Sequence, residues 1–317
     1  MKLRIFAIFV IIAAVFGMGD SLDASFELVR DGMRAWRFGD MDGASYLLEK
    51  GRTELLSMRP EVRSRDEVAR TSLHLGQANL FLALINDDNE SFRRAYRHFF
   101  SLTKMGEKPW SNEGGYYSGL GYILHNGDDR ILELSRALTY FEGVILKGGE
   151  YRREDSKTML GLTYLMMADA KLKSGDRDVR PELTSAMRSV YGLKTRKAAK
   201  IRDAAEIALA TLSLRDWLSA RDRHLADTLT LMKDARKHAG TAVKSENQAI
   251  AARAQSILMI TNADEPALSV SPGIASVPFL AMGAIDSRDL KDNLYMQASD
   301  NRLADFYLGW LAVLDDN

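Results

Sequence analysis

Ser101 and Lys104 are the side chains with the clearest chemical potential, because the string Ser101-Leu102-Thr103-Lys104 sets an amine one helical turn from a hydroxyl. Serine enzymes of acyl transfer join such an S-x-x-K string to an S-D-N string, here Ser299-Asp300-Asn301, and to a K-T-G string. The third member is missing. Lys194-Thr195 is followed by Arg196 rather than glycine, and it precedes the S-D-N string. Leu102 falls on an apolar stripe, so Ser101 reads as part of a packed helix and neither serine reads as a nucleophile. His74, His98, His125, His224 and His238 show no metal-ligand spacing, and His98 reads as a hydrogen-bonded structural residue. Asn86-Asp87-Asp88-Asn89-Glu90 is acidic but lacks the alternating oxygens, central glycine and distant glutamate of a calcium loop, so it reads as a helix-capping turn. There is no phosphate loop and no dinucleotide glycine fingerprint. The expectation is a chain with no catalytic residue, no metal site and no cofactor.

Two stretches carry side chains suited to contact instead. Lys194, Arg196, Lys197, Lys200 and Arg202 form a basic run, either the seat of an anionic ligand or acidic partner surface, or a solvated loop entering a helix. Lys108–Tyr122 gathers Trp110, Tyr116, Tyr117 and Tyr122 around four glycines. These rings read either as low-entropy contact residues on a flexible link or as packing at the start of a helix. The candidate contacts are Trp110, Tyr116, Tyr117, Lys194, Arg196 and Lys197, joined by Phe279 from an apolar segment further on.

The elements that must hold these residues are helices. Leu22, Phe26, Val29, Met33 and Trp36 step by four and three, drawing one stripe along one helix. The same stepping runs through Phe92, Ala95, Phe99, Leu102 and through Val179, Leu183, Ala186, Val190, Leu193. No alternation of period two predicts a sheet. Polar turns at Phe38–Met41, Asn86–Glu90, His125–Asp129, Ser174–Asp178 and Ala220–Asp222 carry the Gly, Asn and Asp that cap helices. They predict helix pairs near 22–57, 68–104, 116–147, 156–193 and 198–239, then a helix near 242–261. The second helices share a small residue, a larger one four on and an apolar one three further: Ala44/Leu48/Gly51, Ala95/Phe99/Leu102, Ala137/Phe141/Val144 and Ala186/Val190/Leu193. The first helices carry Leu75-Gly76, Leu120-Gly121 and Leu160-Gly161.

Within residues 32–51, Gly32, Ala35, Gly39, Ala44, Leu48 and Gly51 describe two helices crossing closely about a Gly39-Asp40 turn. This segment resembles a tetratricopeptide repeat, down to the stretch RFGDMDGA at the turn, and the signatures at 75–76 through 193 resemble degenerate copies. The likeness spans roughly residues 22–240. The marker alanines 44, 95, 137, 186 and 226 recur at 51, 42, 49 and 40 residues, longer than the family period of about 34. The resemblance implies an all-α fold, a right-handed superhelical stack of antiparallel helix hairpins (a TPR-like α-solenoid). It also implies a concave groove for a protein or peptide partner.

The first 19 residues have the layout of a secretory signal peptide: Lys2 and Arg4, an apolar run Ile5–Phe16, then Gly17-Met18-Gly19. Cleavage after Gly19 implies export, to the periplasm or beyond; the alternative is an uncleaved N-terminus anchored in the inner membrane. The domain organisation expected is 1–19 signal peptide, 20–261 helical repeats, 262–285 an apolar loop interrupted by Pro266, Pro272 and Pro278, and 286–317 capping helices with Leu303, Tyr307, Trp310 and Leu314 on one face. The loop reads as a lid on the groove or a cap on the stack. Hydrophobic content of 46% supports a folded chain, and the absence of cysteine leaves its stability to packing. Lys plus Arg and Asp plus Glu are both 43, so no global field selects nucleic acid or anionic lipid. The function expected is a non-catalytic cell-envelope binding or scaffold protein. A periplasmic solute-binding component, taking a small molecule, and an all-helical envelope enzyme are the alternatives.

Overall fold

The computed structural model describes residues 22–58, 64–106, 109–125, 129–147, 150–222 and 228–262. The described residues form eleven helices and no strand. The helices are α1 (22–37), α2 (Met41–Ser57), α3 (Arg65–Asn86), α4 (Asn89–Lys104), α5 (Trp110–Leu124), α6 (Arg130–Lys147), α7 (Arg153–Lys173), α8 (Arg180–Ser189), α9 (Arg196–Asp222), α10 (Thr228–Ala242) and α11 (Gln248–Asn262). They fall into two compact units, α1–α5 and α6–α11. The expected signal peptide, the 263–285 segment and the C-terminal helix all lie outside the described residues.

In the first unit the starts of α2, α3 and α4 are capped locally. The Gly43 amide donates to the Asp40 carboxylate at 2.8 Å, and Ser64 and Glu67 close a reciprocal capping box at the head of α3. Asp88 accepts from the amides of Glu90 and Ser91 and from the Ser91 hydroxyl, and these bonds, the hydroxyl first, hold its carboxyl below the usual range. Small residues then bring the helices together. A Cβ on Gly32 would lie 2.7 Å from Leu48 Cγ, and one on Gly51 would lie 2.9 Å from Val29 Cγ2 and 3.2 Å from the Ser25 carbonyl. On Gly76 it would enter the Phe99 ring, 2.4 Å from Cε1. α3 packs on α2, α4 and α5, and α4 packs on α5.

The second unit repeats this construction. α7 packs on α6, α8 and α9, while α9 also meets α8, α10 and α11. A Cβ on Gly161 would lie 2.9 Å from Val190 Cγ1. Arg180, at the head of α8, reaches Asp216 of α9 at 2.5 Å, and His238 of α10 bonds Glu206 of α9 at 2.6 Å. α9, α10 and α11 meet over an alanine-rich core of Ala210, Ala235, Ala239, Ala242 and Ala254 with Ile207, Leu214 and Ile257.

The signature positions of the second helices all lie in the core: Ala44, Leu48, Gly51, Ala95, Phe99, Leu102, Ala137, Phe141, Val144, Ala186, Val190 and Leu193. α3, α5 and α9 differ from these amphipathic neighbours. Residues 73–83 of α3, 112–121 of α5 and 207–214 of α9 are buried without a break, so each helix is covered all round there. Some polar residues in those stretches bond one turn back. Asn79 donates to the Leu75 carbonyl at 2.7 Å and Thr211 to that of Ile207 at 2.8 Å, as Thr163 of α7 does to Met159 at 2.7 Å.

Four of the five polar turns separate helices as read from the sequence. The fifth does not: α9 runs through Ala220–Asp222, and α10 extends to Ala242, so the last described helix starts at Gln248 rather than near 242. α8 ends at Ser189, with Val190 and Leu193 buried beyond it in a turn where Gly192 takes φ +81°. The glycine-rich stretch before Tyr116 is not a link but the first half of α5. Gly114 explains the difference. A Cβ there would lie 2.6 Å from the Phe99 carbonyl oxygen and 2.8 Å from the Thr103 amide, so the bare backbone lets α4 and α5 touch.

Candidate functional site

The structure disperses the residues singled out by type. Tyr116 and Tyr117 are 1% and 2% exposed, set edge-on to each other at 5.5 Å, with Tyr117 stacked on Phe99. They take the packing role, not that of a presented contact. Trp110 is half-buried at the head of α5, where its Nε1 donates to Asp66 Oδ1 at 2.8 Å and ties α5 to α3. Lys194 and Arg196 are exposed at the entry to α9, with Lys197 half-buried, and Arg196 faces Glu246 at 3.6 Å. That is the solvated loop entering a helix. Phe279 and Ser299 lie outside the described residues.

Ser101 is exposed on α4 and donates to the His98 carbonyl at 2.7 Å, so it is helical but not packed. The Lys104 ammonium lies over the Phe100 ring, 4.9 Å from its centroid. Among the described residues no three His, Asp or Glu side chains converge as a metal site. No helix among them is long and apolar enough to cross a membrane.

One surface does concentrate exposed side chains of a single character, and it lies on α4. Ser91, Ala95, Phe99 and Leu102 form its buried face. Phe92, grouped with that stripe by spacing alone, is half-buried and belongs to a second row, Phe92–Tyr96–Phe100–Lys104, at four-residue steps. The row is built by ring contacts. Phe92 stacks on His125 at 4.0 Å and meets Tyr122 edge-on at 6.3 Å. Tyr96 meets Tyr122 edge-on at 5.5 Å and stacks on Phe100 at 5.9 Å. His125 Nε2 lies 2.9 Å from Asn89 Oδ1, pinning the end of α5 to the start of α4. Phe100 remains 41% exposed.

Beside this aromatic row stand Arg93 and Arg97; with Arg94, further round the helix, they share the single carboxylate of Glu90 at 3.9, 4.0 and 3.5 Å respectively. α4 thus carries four basic side chains, with Lys104, against one acidic residue. Sequence reasoning missed this surface, although FRRAYRHFF spells it. The aromatics at 92, 96 and 100 and the arginines at 93 and 97 recur at one-turn spacing. No protein-family model, curated protein or solved structure matches the chain.

Proposed function

We propose that this protein is a non-catalytic, exported binding or scaffold protein built from tetratricopeptide-like antiparallel hairpins, and that the aromatic and cationic face of α4 is where it holds a protein or peptide partner. The repeat reading is supported by one contact that recurs. A first-helix glycine meets the second-helix signature residue three times, as Gly32 on Leu48, Gly76 on Phe99 and Gly161 on Val190. The binding reading is carried by the row Phe92–Tyr96–Phe100 beside Arg93 and Arg97. A helix kept only for packing gains nothing from a half-buried ring row that ends in the exposed Phe100 and is flanked by solvated arginines, whereas aromatic and arginine side chains dominate contact energetics. α3, α5 and α9, covered all round over their central stretches, leave neighbours such as α4 to present surface.

Site-specific photocrosslinking in cells tests this. A benzophenone amino acid replacing Phe100 should yield a discrete adduct, and one replacing the exposed Leu146 of α6 should not. The adduct should fade when Arg93 and Arg97 are both changed to Gln. Equal adducts from the two positions, or none from position 100, would sink the assignment of this surface.

A further inference from the structure

We propose that the partner segment held by α4 is acidic, a short stretch of polypeptide that combines carboxylates with aromatic or aliphatic side chains. This rests on the reading of α4 as the contact surface and adds the chemistry of what it contacts.

Charge is the first argument. Four basic side chains on α4 face two carboxylates, Glu90, already shared by three arginines, and the N-cap Asp88, which acts on Arg94, so the surface beside the rings keeps a positive surplus. Arg93 and Arg97 are 72% exposed and carry that charge into solvent. A carboxylate meeting a guanidinium finds a planar two-donor partner, the geometry arginine serves best.

Relief is the second. Successive residues on a helix are about 100° apart, so Arg93 and Arg97 point further round toward solvent than Phe92 and Tyr96, which lean toward α5. The arginines make a crest and the rings a shelf beside it. A flat bilayer would meet the charged crest first, with the apolar rings held back from the interface. A narrow chain can lie on the shelf and turn its carboxylates to the crest. Phe92 to Lys104 spans about 18 Å, the length of about five or six extended residues.

Ring faces are the third. Single-stranded nucleic acid is held by bases stacking on open aromatic faces. Here Phe92 is stacked on His125, and Phe100 lies between Tyr96, one turn before it, and the Lys104 ammonium, one turn after. What these rings offer is largely edge, which suits apolar side chains better than bases.

The test uses the purified protein and four probes: a labelled peptide of alternating Glu with Tyr and Leu, the same peptide with Gln for Glu, oligothymidylate, and phosphatidylcholine vesicles containing phosphatidylglycerol. Fluorescence anisotropy should show the Glu peptide binding about tenfold tighter than the Gln peptide, with salt weakening only the former. Arg93→Gln with Arg97→Gln should cost the Glu peptide about tenfold, and Phe100→Ala should weaken both peptides. Melting temperature should hold in the arginine variant, since both side chains are solvated. Equal binding of the two peptides, no effect of the arginine variant, or tighter binding of oligothymidylate or vesicles would overturn the proposal. The underlying surface assignment fails separately. A crosslink from position 100 that survives when no acidic peptide binds refutes only the partner class, while absence of the crosslink with both arginines in place refutes the surface.

Discussion

Acidification should destabilise the first unit chiefly through one side chain, His74. Its imidazole is 6% exposed, stacked on Phe26 at 4.3 Å, with Nδ1 2.9 Å from the Arg70 carbonyl. Arg70 lies over the same Phe26 ring at 4.8 Å and pairs with Asp23 at 3.2 Å. Burial first, then the positive charges of Arg30 and Arg70, lower the His74 pKa from 6.5 to about 4; the carbonyl bond and Asp23 oppose this only in part. The unfolded chain therefore takes a proton near pH 6.5 that the folded chain refuses until about pH 4. Stability from this residue is complete above 6.5 and declines as pH falls through that window, by about 3 kcal/mol in full and about 2 kcal/mol by pH 5. His98, also lowered by burial, adds in the same direction. Asp169 and Asp203, raised chiefly by burial, act in the opposite sense. The comparison must therefore be with His74→Phe, which keeps a stacked ring and removes the titration. Urea unfolding followed by circular dichroism at about pH 7.5 and about pH 5 should show a drop about 2 kcal/mol larger in the parent than in the variant. Drops equal within about 0.5 kcal/mol would refute a buried neutral His74. An NMR titration placing its pKa near 6.5 would do the same.

Three further outcomes are expected. Gly114→Ala forces a methyl against the backbone of α4 and should cost about 3 kcal/mol, whereas Gly143→Ala in α6, with nothing within 4 Å, should stabilise by about 0.5–1 kcal/mol; thermal melts of the two variants check the sign of each. Ala137→Glu puts a carboxylate at a fully buried position beside Phe141 and Val144 and should cost several kcal/mol, seen as loss of cooperative unfolding and new protease cleavage around α6 and α7; an unchanged melt would mean that α6 is paired wrongly. Intact-mass measurement on protein recovered from the envelope should give a chain beginning at Asp20, and a species beginning at Met1 in the membrane fraction would replace export by anchoring.

Helix content, most turn positions and the buried stripes were legible in the sequence, because they depend on local quantities. Apolar spacing of three and four marks a helix face, and Asp40, Ser64 and Asp88 cap within three residues of themselves. The small residues likewise announced close crossings, since Gly32, Gly76 and Gly161 have no other use at those spacings. Tertiary structure alone decided which faces stay open. Tyr116 and Tyr117 carry the same ring types as Tyr96 and Phe100, yet one pair is interior and the other borders solvent. The difference comes from α3 and α4 closing over α5, through partners as distant in sequence as Asp66 and Trp110, 44 residues apart. The helicity of the glycine-rich start of α5 has the same origin. Local propensity disfavours a helix there, and only the approach of the α4 backbone to Gly114 repays it. His74 shows the rule for chemistry: its ring type was plain from the sequence, but its charge is set by Phe26 and Arg30, which packing brings against it.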